Sequence, residues 1–98
     1  MGASVADGSF FGEICRAERM VDVVFAETQY RQGSTVPMHA HESPLLCLVV
    51  QGAFEENSGA RRRLLSRGAV LFHPAGEPHA HRFDEPRTRC FSVQLGPA

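Results

Sequence analysis

The feature that most constrains the fold is the shortness of the apolar segments, which end at turn residues every few positions. The longest segment, residues 45–50, reads LLCLVV and is followed by Gln51 and Gly52. A continuous apolar run of this length, bounded by turn residues, predicts a strand that is buried on both faces. The run is also far too short to span a membrane.

The other apolar segments predict a series of further strands. They are expected at residues 10–16, 21–31, 53–57, 61–65, 69–72, 79–83 and 90–95. In the last of these, Phe91, Val93 and Leu95 alternate with smaller or polar residues and should share one face. Residues 11–20 also fit a charged surface helix, although a strand is preferred there. Short strands at regular spacing predict an all-β sandwich or barrel.

Composition indicates one ordinary globular domain. The chain has 98 residues, of which 43% are hydrophobic and 21% are charged, and its formal net charge is −1. We expect a loose tail over residues 1–9 and a single domain over residues 10–98. A charge so close to zero lacks the basic excess of a nucleic-acid-binding surface.

The cysteines and the N-terminus indicate the compartment. Cys15, Cys47 and Cys90 are odd in number, widely spaced and form no CxxC pair, so they predict free thiols and no disulfide framework. The first residues lack the basic and apolar stretches of a signal peptide. We therefore expect a cytoplasmic protein that has no membrane contact.

All the histidines lie in two short segments, PMHAHESP at residues 37–44 and HPAGEPHAH at residues 73–81. In an extended chain, residues i and i+2 point to the same face, so His39 and His41 should aim their rings together. The later pair at positions 79 and 81 should do the same. If the fold brings the pairs together, they supply three or four imidazole ligands for a transition metal. The alternative is histidines that serve hydrogen bonding alone.

These two segments resemble the two sequence motifs of the cupin superfamily. Residues 33–41 read G-x5-H-x-H, and a glycine closes the following strand at Gly52. Residues 68–79 read G-x5-P-x-G-x2-H. The resemblance implies a small single-domain cupin, a double-stranded β-helix or jelly-roll barrel with a pocket at its mouth.

The resemblance also implies a ligand set. The histidines that match the motifs are His39, His41 and His79, whereas the cupin glutamate would fall at Leu45 or Leu46, both apolar. A three-histidine centre therefore remains, for zinc, iron, manganese, nickel or copper. The additional ligand candidates are His81, Glu42 and His73. Of these, the carboxylate should point away from its neighbour at position 41 unless the strand bulges. The predicted pocket-lining residues are Phe72, Phe83 and Gln94.

A narrower resemblance is carried by HAHESPLLCLVVQGAFEE and GAVLFHPAGEPHAHRF. Together they look like the N-terminal sensor domain of AraC-type transcription regulators. This implies a small-molecule-binding regulatory module, for which we expect a homodimer. The sequence has no helix-turn-helix segment, so no direct nucleic-acid contact is expected. The alternative is a small metal-dependent cupin enzyme of the dioxygenase or isomerase type, and a purely structural cupin is a third interpretation.

The basic cluster RRRLLSR at residues 61–67 has a simpler interpretation. Charged residues on an outer strand discourage edge-to-edge pairing of sheets. The turn at residues 57–59 should place Glu55 and Glu56 on the neighbouring strand, where they can balance these arginines. An anionic ligand or an acidic partner is the alternative.

Overall fold

The computed structural model describes residues 12–59 and 61–96, and the backbone of residues 3–5. The described residues form strands, turns and bends, without a helix. The strands are β1 (Ala3–Val5), β2 (Glu13–Met20), β3 (Val23–Arg31), β4 (Thr35–His41), β5 (Leu45–Gln51), β6 (Ala53–Ser58), β7 (Arg61–Ser66), β8 (Val70–His73), β9 (His79–Arg82) and β10 (Arg87–Leu95). None of the described residues provides a helix that could cross a membrane.

The strands form two five-stranded sheets. One sheet has the order β1-β4-β9-β6-β7 and the other has the order β2-β3-β10-β5-β8. Neighbouring strands are antiparallel except for β1 and β4, which are parallel. The apolar core draws on the inner faces of both sheets, with Phe54 and Phe83 from one and Val49 and Leu71 from the other. This architecture confirms the predicted all-β fold.

Several local predictions can be compared with the strands. Residues 13–20 form a strand, so the helical interpretation of residues 11–20 is wrong for this part. In β10, Thr88, Cys90, Ser92 and Gln94 are buried, which confirms the predicted alternation of this strand. Within the predicted tail of residues 1–9, strand β1 pairs with β4, and the remaining tail residues lie outside the described residues.

The prediction that LLCLVV is buried on both faces is wrong. Leu45, Cys47 and Val49 are buried, but Leu46 is 37% exposed and Val50 is 44% exposed. The physical reason is that β5 lies in a two-layer sandwich, where each sheet has one inner face and one outer face. The outer face therefore carries apolar side chains that none of the described residues covers.

A β-bulge in β4 sets the direction of the first histidine pair. Val36 pairs with His81 and His39 pairs with His79, so three steps on β4 match two steps on β9. The extra residue falls at Pro37 or the position after it, where proline has no N–H to give to the ladder. Because a shift of one residue exchanges the two faces of a strand, the bulge allows the buried residue 36 and both histidines to face inward.

The arginine cluster lies on β7, which is the last strand of its sheet. Arg62 pairs with Glu55 at 3.6 Å and Arg63 pairs with Glu56 at 2.9 Å, which confirms the predicted balance of charge across the hairpin. The two carboxylates differ in environment, however. Glu55 is partly exposed, whereas Glu56 is fully buried in the barrel.

Candidate metal centre

Three buried histidines converge inside the barrel. His39 and His79 are opposite each other on β4 and β9, with ring centroids 4.3 Å apart. His41 follows on β4, and its Nε2 lies 3.3 Å from Nε2 of His39. The ligand nitrogens of all three lie within 4.8 Å of one another. In a tetrahedral zinc site with Zn–N bonds of about 2.0–2.1 Å, ligand nitrogens are about 3.3 Å apart.

Backbone carbonyls fix the orientation of two of these rings. Nδ1 of His39 donates to the carbonyl of Pro37 at 2.8 Å. Nδ1 of His79 donates to the carbonyl of Glu77 at 3.1 Å. With the proton on Nδ1, each ring presents the lone pair of Nε2 to the centre. Metal-ligating histidines are held by the same kind of outer hydrogen bond, which sets the tautomer.

The third ring is oriented by a side chain of the opposite sheet. Nε2 of Gln94, on β10, donates to Nδ1 of His41 at 3.5 Å. In this arrangement the proton of His41 sits on Nε2. Turning the amide by 180° would present its oxygen to Nδ1 and would release Nε2 for a metal ion. Gln94 was predicted to line the pocket, and the structure gives it this position against a candidate ligand.

The loop between β8 and β9 is tied to the end of β4. The N–H of Gly76 donates to the carbonyl of His41 at 2.9 Å. Gly76 has a φ of 78°, in the left-handed region that favours glycine. This turn holds the second histidine segment against the first, so the glycine of the second motif has a direct part in forming the site.

The environment keeps two of the candidate ligands neutral. Burial, and after it the neighbouring histidines, lower the pKa of His79 to about 3. Burial also lowers the pKa of His39, in opposition to the hydrogen bond to Pro37. Neutral imidazole is the form that binds a metal ion, so no proton has to be displaced from these two rings near neutral pH.

A second cluster, formed by Glu56, His73 and His81, lies beside the first. Nε2 of His73 and Nε2 of His81 both donate to the same oxygen, Oε1 of Glu56, the latter at 3.2 Å. The ring of His73 stacks on that of His79, with centroids 3.9 Å apart and an angle of 8° between planes. Ligand nitrogens of His73, His79 and His81 also lie within 4.8 Å of one another.

Glu56 is a site residue that the sequence analysis did not identify. Burial raises its pKa, but hydrogen bonds from His73, His81 and Arg63 oppose this effect and hold the pKa below its ordinary value. From the sequence, this carboxylate is expected only to balance the charge of the arginines. The available signal was its spacing from Phe54, since residues i and i+2 of β6 share the inner face.

The remaining predicted residues have different positions. Phe83 is fully buried, and its ring stacks on that of Tyr30 at 4.0 Å in the cavity wall. Phe72 is 53% exposed on the outer face of β8, so it lies outside the histidine cavity and lines a separate open groove. Glu42 is exposed, because it points away from the inward-facing His41, and it is not placed to ligate. Leu45 is buried in the cavity wall, in the region where the motif has a carboxylate.

The cavity between the rings is small. Its volume is about 30 Å³, and its walls combine histidines with core residues such as Leu45 and Phe83. A single water molecule takes up about 30 Å³ in the liquid, and pockets for drug-sized ligands are about 300–1,000 Å³. The interior therefore has room for an ion and a very small ligand, but not for a larger organic molecule.

A two-sheet β-barrel with histidines on its inner face is the architecture of the cupin fold. Comparison with solved structures shows the same fold. KdgF from Halomonas sp. superposes with a TM-score of 0.76 and 24% identity over 83% of this chain and 76% of that chain. A cupin superfamily protein from Desulfitobacterium hafniense DCB-2 gives a TM-score of 0.74 and 20% identity, over 82% and 72% of the two chains.

A third similar structure is the DMSP lyase DddQ from Ruegeria pomeroyi DSS-3, with a TM-score of 0.71 and 25% identity. The match covers 76% of this chain but only 39% of the lyase. No protein-family model and no curated protein matches the chain. The comparisons therefore establish the cupin fold and leave the activity to be argued from the site.

Proposed function

We propose that His39, His41 and His79 hold one divalent transition metal ion, and that the chain is a small metal-dependent cupin enzyme. The observation that carries the proposal is the convergence of the three ligand nitrogens, with Nδ1 of two rings held by backbone carbonyls. Three protein ligands leave further coordination positions open, as in catalytic metal sites. When bound, the ion supplies Lewis acidity to a coordinated water or substrate oxygen.

The donor set narrows the choice of metal. Three neutral imidazoles suit zinc, iron, nickel and copper better than manganese, which prefers oxygen ligands. Because Leu45 is apolar and Glu42 is exposed, neither supplies a carboxylate to this centre. The ion would therefore keep its full positive charge, which strengthens its action as a Lewis acid.

The cavity size favours an enzyme over a sensor that encloses an organic effector. A cavity of about 30 Å³ can admit water, dioxygen or the end of a substrate, but a typical effector would have to remain at the mouth. One structurally similar protein is a lyase, which supports an enzymatic activity for this fold. The AraC-type regulatory function, the small-molecule effector and the cytoplasmic location remain predictions.

The homodimer also remains a prediction, and the outer face of the second sheet is where we place it. On this face Leu46 lies beside Phe72, and Leu48 lies beside Val70 on one side and Phe91 on the other. Every residue of β2, at the opposite edge of the same sheet, is also exposed. A second copy carries the same apolar face, so the two faces can cover each other around a two-fold axis.

Two measurements test the proposed function. Elemental mass spectrometry of protein purified without a histidine tag or added metal should find a transition metal, and His39→Ala should reduce its content. Glu42→Gln is the matched control, because it alters a polar side chain next to the ligands without touching the centre.

The second measurement tests whether the bound ion has open coordination positions. After loading with Co²⁺, addition of azide should change the visible spectrum if the ion has an exchangeable position. A spectrum that azide leaves unchanged would show a closed structural site and would contradict the enzyme proposal. A protein that takes up no metal would contradict the proposal altogether.

A further inference from the structure

We propose that the thiol of Cys47 is a modification site for hydrogen peroxide, and that Cys90 completes the reaction by forming a disulfide with it. The proposed metal centre uses neither cysteine, so this inference does not rest on the proposed function. Both thiols are free in the structure. The chemistry requires a reactive thiol, a second thiol in contact with it, and space for a small oxidant beside them.

The two cysteines lie on the same inner face of neighbouring antiparallel strands. Cys47 on β5 is opposite Ser92 on β10. Cys90 is opposite Val49, two residues away along each strand, so the two cysteines are diagonal neighbours. Both belong to the buried core cluster, and they are only 6% and 3% exposed. A reagent can therefore reach them only through the interior of the barrel.

Hydrogen bonds give the two thiols different roles. The S–H of Cys90 and the hydroxyl of Ser92 donate to the sulfur of Cys47. These bonds stabilise the thiolate and lower the pKa of Cys47, although burial opposes them. The contact with Cys47, together with burial, raises the pKa of Cys90, which therefore keeps its proton. Because the thiolate is the nucleophile, the first reaction is assigned to Cys47.

The cavity beside the two thiols has room for this oxidant. Cys47, Cys90 and Ser92 line the same cavity as the histidines, and its volume is about 30 Å³. A water molecule needs about 10–15 Å³ of cavity volume measured in this way, so a molecule with two oxygen atoms fits. The cavity therefore favours hydrogen peroxide over larger organic hydroperoxides.

The reaction has two balanced steps. The sulfur of Cys47 attacks one peroxide oxygen and the O–O bond breaks, which gives a sulfenic acid and one water. The sulfur of Cys90 then attacks the sulfur of Cys47, the S–O bond breaks, and the hydroxyl leaves as water with the proton of Cys90. In total, two thiols are oxidised to one disulfide and one peroxide is reduced to two waters.

The strand register predicts that this disulfide is reversible. Diagonal neighbours have Cα atoms about 7–8 Å apart, whereas disulfides usually join Cα atoms about 4.4–6.8 Å apart. The strands must therefore approach each other when the bond forms. The register shift between Arg89 and Cys90 interrupts the ladder beside the pair and allows this movement. A disulfide formed under such a constraint is easily reduced.

The test uses hydrogen peroxide on metal-free, full-length protein. All forms carry Cys15→Ser, because the exposed thiol of Cys15 would otherwise react as well. One form has no other change. Two matched forms also carry Cys47→Ser or Cys90→Ser, so that each keeps a single buried thiol. Dimedone labels sulfenic acids, an alkylating reagent labels the remaining thiols, and mass spectrometry counts both products.

We expect an intrachain disulfide in the first form, which dithiothreitol reverses. The Cys90→Ser form should accumulate the dimedone adduct at Cys47. This reaction should be at least about tenfold faster than oxidation of Cys90 in the Cys47→Ser form, since the thiolate fraction falls about tenfold for each unit of pKa. Equal rates in the matched forms would overturn the assigned roles. A first form that keeps both thiols, or that keeps a sulfenic acid at Cys47, would overturn the disulfide.

A measurement in urea separates the effect of the fold from that of the local sequence. In the unfolded chain the matched forms should react at equal rates, because the hydrogen bonds and the cavity are lost. A difference in rate that persists in urea would overturn the part assigned to the fold. Should a serine variant fail to show a cooperative melting curve, Cys47→Ala and Cys90→Ala make the same comparison.

Discussion

The two histidine clusters use opposite ends of the imidazole ring. In the His39, His41 and His79 cluster, two rings are anchored through Nδ1 to backbone carbonyls of their own segments. In the Glu56, His73 and His81 cluster, the rings are held through Nε2 by a buried carboxylate. Local structure therefore orients two rings of the first cluster, whereas the second cluster depends on a partner from another strand.

The largest effect is expected from His79→Ala, because His79 supplies a ligand to the first cluster and packs against the second. Loss of an outer hydrogen bond alone costs about 10–100-fold in metal affinity, so loss of a ligand should cost more than about 100-fold. A competition assay with a chromophoric chelator measures this affinity. An unchanged affinity would remove His79 from the ligand set.

The next effect concerns folding stability and compares a buried carboxylate with an exposed one. Glu56→Gln should lower the free energy of unfolding of the metal-free protein by about 2–4 kcal/mol, because it breaks a buried ion pair and its hydrogen bonds. The matched change Glu55→Gln affects an exposed pair and should cost less than about 1 kcal/mol. Urea denaturation measures both values. Equal losses for the two variants would show that burial of Glu56 has no energetic consequence.

Acid should destabilise the metal-free protein through both clusters. The pKa of His79 is about 3 in the folded chain and near 6.5 when unfolded, so the unfolded state binds the extra proton between these values. Stability is therefore retained above about pH 6.5 and falls by about 1.4 kcal/mol per pH unit for each such histidine below it.

The low pKa of Glu56 acts in the same direction at lower pH. Its stabilising effect is present above the unfolded pKa of about 4.5 and is lost as the pH falls further. Thermal melting of metal-free protein between pH 8 and pH 4 should show a continuous decrease. A melting temperature that does not change over this range would contradict the neutral, buried state of these rings.

A smaller effect on metal binding is expected from Gln94→Leu. This change removes the side chain that orients His41 but leaves His39, His41 and His79 in place. We expect a loss of about 10–100-fold in affinity at the first cluster only. Gln94→Glu is the informative companion, since its carboxylate can accept the Nδ1 proton and should retain or raise the affinity. The same loss in both variants would contradict the orienting role.

The smallest effect on metal content is expected from Leu48→Glu, because this side chain lies on the outer face, away from both clusters. It should leave metal binding unchanged and abolish the predicted homodimer. Light scattering coupled to size exclusion measures the mass of each form. A monomeric unmodified protein, or a variant that remains dimeric, would contradict the assignment of this face.

The first cluster could be predicted from sequence because the resemblance to the two cupin motifs joins His79 to a pair of histidines that are close in sequence. His39 and His41 are two residues apart on one strand, and the glycines and proline of the motifs mark the turns around them. The second cluster could not, since Glu56 meets His81 only through the pairing of β6 with β9. Local alternation in β6 places Glu56 on the same face as Phe54, but it cannot say which strand lies opposite.

The errors in the predicted strands have a related cause. An apolar run such as residues 45–50 looks the same whether its second face is covered by the chain itself or exposed. The bulge at Pro37 could not be predicted either. It is defined by the number of residues on the opposite strand, β9, which is distant in sequence. Sequence periodicity predicted the strands and the inner residues of β10. The contacts between the site residues depend on pairing between strands that are distant in sequence, and periodicity does not show this pairing.

The most direct test of the central claim is anomalous X-ray diffraction from crystals of the untagged protein, measured on both sides of the absorption edge of the metal that it contains. If the ion is zinc, an anomalous peak should lie about 2.0–2.1 Å from Nε2 of His39, His41 and His79, with similar distances for the other metals. Crystals without anomalous density between these three rings, grown from protein incubated with each candidate metal, would show that the rings do not bind a metal ion.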